Sequence, residues 1–177
     1  MMSQERLVLL AIYKKNLDTI KENIPAKMEL NESLFKITLI YSSFEVFEYF
    51  LSIGYDINKT SYNSLFVSCG NMLHDERIAD YILFNNLVPL NKKLLEDCLY
   101  NASLQQNIKI MKSLLLKGAP VPVEIGINAV KLQNGDMLKL LIDYGLNIDT
   151  PNPSNSPSFS CRQMSVYYGI DINKLLV

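Results

Sequence analysis

The chain has 177 residues, the length of one ordinary domain, and 49% of them are hydrophobic, which is enough to build a sizeable core. Its 17 basic and 18 acidic residues give a formal net charge of −1. Such a balance creates no long-range field that would attract nucleic acid or an anionic membrane, so we expect neither as a partner.

The three cysteines indicate a reducing compartment, and we expect a cytoplasmic protein. Cys69, Cys98 and Cys161 are an odd count at wide spacing, which fits neither a disulfide framework nor a zinc site. We expect them to be small buried side chains at helix contacts. The apolar run 7–13 superficially resembles part of a signal peptide, but no small-residue cleavage site follows it. No apolar run is long enough to span a membrane.

Amphipathic helices follow one another along the chain, and we expect one domain, 1–177, of about six helix pairs. Four of the second helices share apolar residues at i, i+1, i+4 and i+5 and end at Gly54, Asn86, Gly118 and Gly145. Gly and Asn tolerate the left-handed conformation that caps a helix, so these four positions predict helix ends. The approximate repeats are 5–28, 33–58, 64–90, 94–121, 125–149 and 158–177.

Small side chains recur near the end of each preceding helix, at Thr38, Ser68, Ala102 and Ala129. They allow that first helix of a pair to lie close to its neighbours. The segments "GYDIN" at 54–58, "GLNID" at 145–149 and "NASLQQNIKIMKSLLLKGA" at 101–119 resemble the body of ankyrin repeats. The resemblance covers nearly the whole chain. It implies an all-α, ankyrin-like helical repeat solenoid, and a general α-solenoid is the fallback.

Two departures from the ankyrin pattern alter this expectation. The T-P-L-H signature is absent from every copy, and the distance from Gly118 to Ala129 is short for the ~33-residue ankyrin period. We therefore expect shortened or missing β-hairpin fingers. The Pro- and Ser-rich segment 150–160 is long enough for a full finger or a loop.

The resemblance implies a non-catalytic module that binds another protein through its concave face, as an inhibitor or an adaptor. Ankyrin-like proteins bind mainly through finger tips and the ends of first helices. Apolar side chains at those ends predict an interface if they are exposed, whereas short loops folded over them, or a register error, would make them core. The first-helix positions carried over are Ile40, Tyr41, Met72, Leu73, Leu104, Gln105, Lys131 and Leu132. The candidate loop-tip contacts are Lys59, Tyr62 and Lys92, of which Tyr62 offers the most contact area.

An enzyme is the main alternative from another class. The chain has none of the phosphate-binding, zinc-protease or hydrolase motifs, and we expect no cofactor and no metal site. His74 is the only histidine, so a small α-helical enzyme would be centred on it, with Asp75 or Cys69 nearby. The acidic pairs Glu45 with Glu48 and Glu76 with Asp80 are expected to be solvated charge on outer helix faces.

A third alternative is a subunit that assembles through its C-terminal repeat, for example as a homodimer. The last residues, "INKLLV" at 172–177, end in the apolar Leu175, Leu176 and Val177, where a terminal repeat is usually polar. The abundance of Asn, Ile, Lys and Tyr is similar to that of ankyrin-like proteins from large DNA viruses and intracellular bacteria. That likeness implies a factor directed at a host protein in the host cytoplasm.

Overall fold

The computed structural model describes residues 4–24, 32–59, 63–70, 75–154 and 158–177. Backbone contacts divide the chain into two compact units, Met1–Leu90 and Asn91–Val177, and each is described by itself. All regular structure in the described ranges is helical, with no strand, so the all-α prediction is confirmed.

In its described residues, unit 1 contains three consecutive helix pairs. Within each pair the two helices pack together, and the first helix of a pair also packs against the first helix of the next pair. The second helices contact one another in the same order. The pairs are α1 (Gln4–Tyr13) with α2 (Leu17–Asn23), α3 (Glu32–Tyr41) with α4 (Phe44–Ser52), and α5 (Ser64–Cys69) with α6 (Arg77–Phe84); a 3₁₀ turn, Ile57–Lys59, follows α4.

Three further helix pairs lie in the described part of unit 2. The first helices of its pairs contact one another in sequence, α7 with α9 and α9 with α11, and α8 contacts α10. The connection from α8 to α9 is the six-residue segment 117–122, without a strand, where the sequence predicted a missing finger. The pairs are α7 (Lys92–Leu104) with α8 (Ile108–Leu116), α9 (Val123–Lys131) with α10 (Gly135–Asp143), and α11 (Cys161–Tyr167) with α12 (Ile172–Leu175).

The helix ends confirm the predicted capping positions. Gly54, Asn86, Gly118 and Gly145 all have positive φ, between 51° and 98°. At Gly118 the main-chain N–H donates to Leu115 O and the next N–H donates to Leu114 O, which is the Schellman pattern. The same pair of bonds closes the ends of α4 and α10. The same backbone conformation therefore ends these second helices.

The core consists of the columns that the periodicity predicts. On α8, Ile110, Met111, Leu114 and Leu115 are all buried, and equivalent residues of α4, α6 and α10 are mostly buried too. The small residues Thr38, Ser68, Ala102 and Ala129 are fully buried, as expected for first helices that pack closely. All three cysteines are buried and none forms a disulfide, which confirms their expected role as small core side chains. Among the described residues, no helix has the length and apolar character needed to cross a membrane.

Candidate functional site

The α7–α8 and α9–α10 turns of unit 2 share one local design. In the α7–α8 turn Gln106 adopts a left-handed conformation, with φ 54°, and the next residue, Asn107, caps α8 by accepting a 3.1 Å bond from Ile110 N. In the α9–α10 turn Gln133 and Asn134 do the same, and Asn134 accepts a 2.9 Å bond from Met137 N. Asparagine serves here because its side-chain oxygen satisfies an N–H that the helix leaves unpaired.

A side-chain hydrogen bond joins these two turns. Asn134 Nδ2 donates to Gln106 Oε1 at 3.0 Å, across 28 residues of sequence. The bond holds the α7–α8 and α9–α10 turns side by side, so the ends of α7 and α9 form one surface. We call the exposed or half-buried residues Leu104, Gln105, Lys131 and Leu132 the turn surface.

Two apolar side chains of the turn surface are open to solvent. Leu104 is 46% exposed and Leu132 is 44% exposed, although both are large and apolar. Lys131 is exposed and Gln105 is half-buried. Loops therefore do not cover these positions in unit 2. Large apolar side chains grouped at a surface and bordered by polar ones are typical of a binding site.

The corresponding ends in unit 1 carry aromatic side chains. Tyr41 and Ile40, at the end of α3, are half-buried. Tyr13, at the end of α1, is 51% exposed, and its ring centroid lies 4.8 Å from that of Tyr41. The sequence interpretation omitted Tyr13 because it treated the first repeat only as a degenerate end. If Ala11 is aligned with the other small buried residues, Tyr13 occupies the position in its repeat that Leu104 occupies in another.

The structure describes only some of the remaining predicted contact residues. Lys92 is exposed at the start of α7. Met72, Leu73 and Tyr62 lie outside the described residues, as does the side chain of Lys59. The described part of the neighbouring first helix, α5, ends at Cys69 with Gly70 as its C-cap.

An aromatic patch on α11 was not anticipated. Val166 is 75% exposed and Tyr167 is 70% exposed, and Tyr168 beside them is exposed as well. The rings of Tyr167 and Tyr168 meet edge to face with centroids 5.2 Å apart. A groove of about 450 Å³ borders this patch, and its lining residues are Gln133, Tyr168, Gly169, Ile170, Asp171, Lys174 and Leu175.

The C-terminal residues are less open than the sequence suggested. Leu175 and Leu176 are half-buried, whereas Val177 is exposed. A Cβ added at Gly135 would overlap the carbonyl oxygen of Leu175, so α12 lies directly against the start of α10. The exposed apolar surface of this repeat is therefore on α11 rather than along the last residues.

Charged side chains of the described ranges form several ion pairs. Lys93 Nζ lies 2.9 Å from Asp97 Oδ1, and the hydrogen bond to Asp97 raises the pKa of Lys93. These residues line a small cavity of about 210 Å³. No group of three or more potential metal ligands occurs in the part of the chain that the structure describes. His74 lies outside that part.

Asp75, a suggested partner of His74, binds Arg77. Arg77 Nη2 lies 2.6 Å from Asp75 Oδ2 and 2.9 Å from Glu45 Oε1. The hydrogen bond from Arg77, opposed by partial burial and assisted by main-chain N–H groups, lowers the pKa of Asp75 to about 2. Asp75 is therefore a constant negative charge at neutral pH, which suits structure better than proton transfer.

The acidic pairs are only partly the solvated charge that was expected. Glu45 and Glu48 are exposed, in agreement with the prediction. Asp80 departs from it, because it is half-buried and its Oδ1 is shielded from solvent without a hydrogen-bond partner.

No protein-family model matches the sequence, and no curated protein matches it. Any functional conclusion therefore depends on the repeated turns and on the side chains that they expose.

Proposed function

We propose that this protein is a non-catalytic binding module, an ankyrin-like array of helix pairs that binds another protein. The support is that consecutive pairs in each unit contact one another through equivalent helices, first with first and second with second. Repeat proteins have this nearest-neighbour pattern, and they use an extended surface along successive repeats for binding.

The observation that carries the proposal is the exposure of Leu104 and Leu132 at equivalent ends of adjacent first helices. Their turns are tied together by the Asn134–Gln106 bond, so the two apolar side chains are presented on a rigid base. A rigid base lowers the entropy lost on association. Lys131 gives the surface a polar border, and it has no carboxylate partner in the described structure. A protein segment with apolar and acidic side chains would complement this surface.

The mode of action under this proposal is occlusion or recruitment of a bound partner. Occlusion is the simpler version, since it requires one binding surface and no second activity. The composition supports a host-directed viral or bacterial factor that acts in the host cytoplasm. The proposal includes neither catalysis nor a cofactor.

Affinity capture with matched variants tests the proposal. We expect the purified protein to retain a defined protein from host-cell lysate, and the double variant Leu104→Glu, Leu132→Glu to lose it. The control is Leu116→Glu, at the end of the second helix α8, where leucine is even more exposed, at 61%. Circular dichroism establishes that all variants fold. Equal retention by the wild type and the double variant would exclude the turn surface as the interface.

Self-association is a second candidate function, and the α11 patch favours it. Val166 and Tyr167 are the most exposed large apolar side chains in this repeat apart from Val177. Sedimentation at increasing concentration should detect a dimer that Val166→Glu, Tyr167→Glu abolishes. A monomer at all concentrations would discard this candidate and leave the patch available to another protein.

A further inference from the structure

The dipeptide Asn134-Gly135 is chemically reactive, but it lies in a turn whose geometry opposes the reaction. It is the single Asn-Gly pair in the sequence. Asn-Gly is the pair most prone to spontaneous loss of the asparagine amide, because glycine has no side chain to hinder attack by its nitrogen. The equivalent caps in the other turns are followed by bulky residues, Leu17 after Asn16 and Ile108 after Asn107.

The fold explains why glycine follows the cap only here. A Cβ at Gly135 would overlap the carbonyl oxygen of Leu175, so a larger residue at this position would displace α12. Close approach of backbone to backbone is a common reason for glycine at a fixed position. The docking of α12 thus places a reactive dipeptide in the α9–α10 turn.

The reaction itself is simple and needs no enzyme. The Gly135 nitrogen attacks the side-chain carbon Cγ of Asn134, a nitrogen–carbon bond forms, and the bond from Cγ to Nδ2 breaks. Ammonia leaves with the proton from the Gly135 nitrogen, and a five-membered succinimide remains. Water then adds to either carbonyl of the ring and gives aspartate or isoaspartate.

The native turn opposes ring closure in two ways. A five-membered ring requires the Gly135 nitrogen to lie on the same side of the Cα–C bond as Cβ, but the Asn134 ψ of 93° places it nearly opposite. Both ends of the amide are also held, since Oδ1 accepts from Met137 N and Nδ2 donates to Gln106. Reaction therefore requires the N-terminus of α10 to open.

We propose that Asn134 is a deamidation site controlled by the fold: the α9–α10 turn protects it, and opening of that turn exposes it to reaction. The two products differ in their effect. Aspartate at position 134 caps a helix as well as asparagine does. Isoaspartate routes the main chain through the former side chain and adds a methylene to it, so the cap and the bond to Gln106 are lost.

Peptide mapping of the full chain tests the proposal. The protein is incubated at mildly alkaline pH, either native or unfolded in urea, and then digested with trypsin. Cleavage after Lys131 and Lys139 releases residues 132–139, which contain Asn134 and no other asparagine. Mass spectrometry follows the conversion of the amide to an acid. The peptide 94–109 carries Asn107 as the internal control, a residue with the same role as a cap but a different neighbour, and fragmentation separates it from Asn101 in the same peptide.

We expect Asn134 to react faster than Asn107 in urea, and to react at least about tenfold more slowly in the native protein, because reaction follows the population of the open turn. Gly135→Ala should slow the reaction in urea, where its effect on folding has no influence. Equal rates in native and unfolded protein would overturn the control by the fold. Equal rates at Asn134 and Asn107 in urea would overturn the site. Neither result depends on the proposed binding function.

Discussion

The carboxylate of Asp75 accepts a hydrogen bond from the main-chain N–H of Phe44, 3.0 Å away and 31 residues earlier in the chain. Phe44 is the first residue of α4, and the residue that should cap this helix, Ser43, makes no side-chain cap bond. Asp75 also accepts from Arg77 N at the start of α6. One carboxylate thus stabilises the N-termini of two second helices, where a negative charge is favoured.

Replacing Asp75 with asparagine should destabilise unit 1 by about 1–2 kcal/mol at neutral pH, because a charged cap and the ion pair with Arg77 are lost together. Urea unfolding monitored by circular dichroism measures this difference. Glu45→Gln removes the other, exposed partner of Arg77 and should change the free energy of unfolding by less than about 0.5 kcal/mol. Equal effects of the two substitutions would contradict the capping role of Asp75.

The contact between Asp75 and Arg77 also predicts that the stability of the protein depends on pH in the acidic range. The pKa of Asp75 is lowered from 3.8 to about 2 by its bond to Arg77, so the native state favours the charged carboxylate. Its contribution is fully present above pH 4 and is lost as the pH falls from about 4 to 2. The difference in stability between wild type and Asp75→Asn should therefore shrink over this range. A difference that stays constant down to pH 2 would exclude linkage to this carboxyl group.

Local sequence was sufficient for the helix ends and the core, and the reason is physical. A Schellman end involves six consecutive residues, so Gly118 and its neighbours contain all the information that the turn requires. A buried column repeats with the helix period, which is equally local. The expected positions of Leu104 and Leu132 follow from the same alignment.

The contacts between one helix pair and the next could not be predicted from local sequence. The Asp75–Phe44 bond and the Tyr13–Tyr41 ring contact depend on how one helix pair lies against the next, which a single periodic pattern does not specify. The lengths of the first helices are not specified by the repeat pattern either, since α5 has 6 residues and α7 has 13. The α11 patch depends on which helix face lacks a neighbour.

Two residues of unit 2 with positive φ predict substitutions that change the free energy of unfolding in opposite directions. Gly118→Ala should destabilise by about 1 kcal/mol, since φ is +84° and the new methyl group meets nothing within 4 Å, so backbone strain is the whole effect. Gln133→Gly should be neutral or stabilising by up to about 1 kcal/mol, because Gln133 has φ 52° and glycine adopts it without strain. Urea midpoints of the two variants would show the order; the reverse order would contradict these backbone assignments.

The shielded carboxylate oxygen predicts a stabilising change in unit 1. Asp80 Oδ1 is buried without a donor, and aspartate is a poorer helix former than alanine. Asp80→Ala should raise the free energy of unfolding by about 0.5–1 kcal/mol. Glu48→Ala, on the exposed face of α4, is the control and should change it by less than about 0.5 kcal/mol. A loss of stability in the Asp80 variant would reveal that this carboxylate has a favourable role that its hydrogen bonds do not indicate.

The cysteines predict how the native protein reacts with thiol reagents. Cys69, Cys98 and Cys161 are buried, and burial raises the pKa of the Cys161 thiol to about 11. Because the thiolate is the reactive species, native protein at pH 8 should show no rapidly reacting thiol, whereas unfolded protein should show three. A disulfide-exchange reagent that releases a coloured thiolate counts them directly.

The slow labelling rate in native protein should rise with urea as each unit opens, and Cys161→Ser should remove one thiol from the unfolded count. Rapid labelling of native Cys161 would mean that the α9–α11 contact opens far more readily than its burial implies.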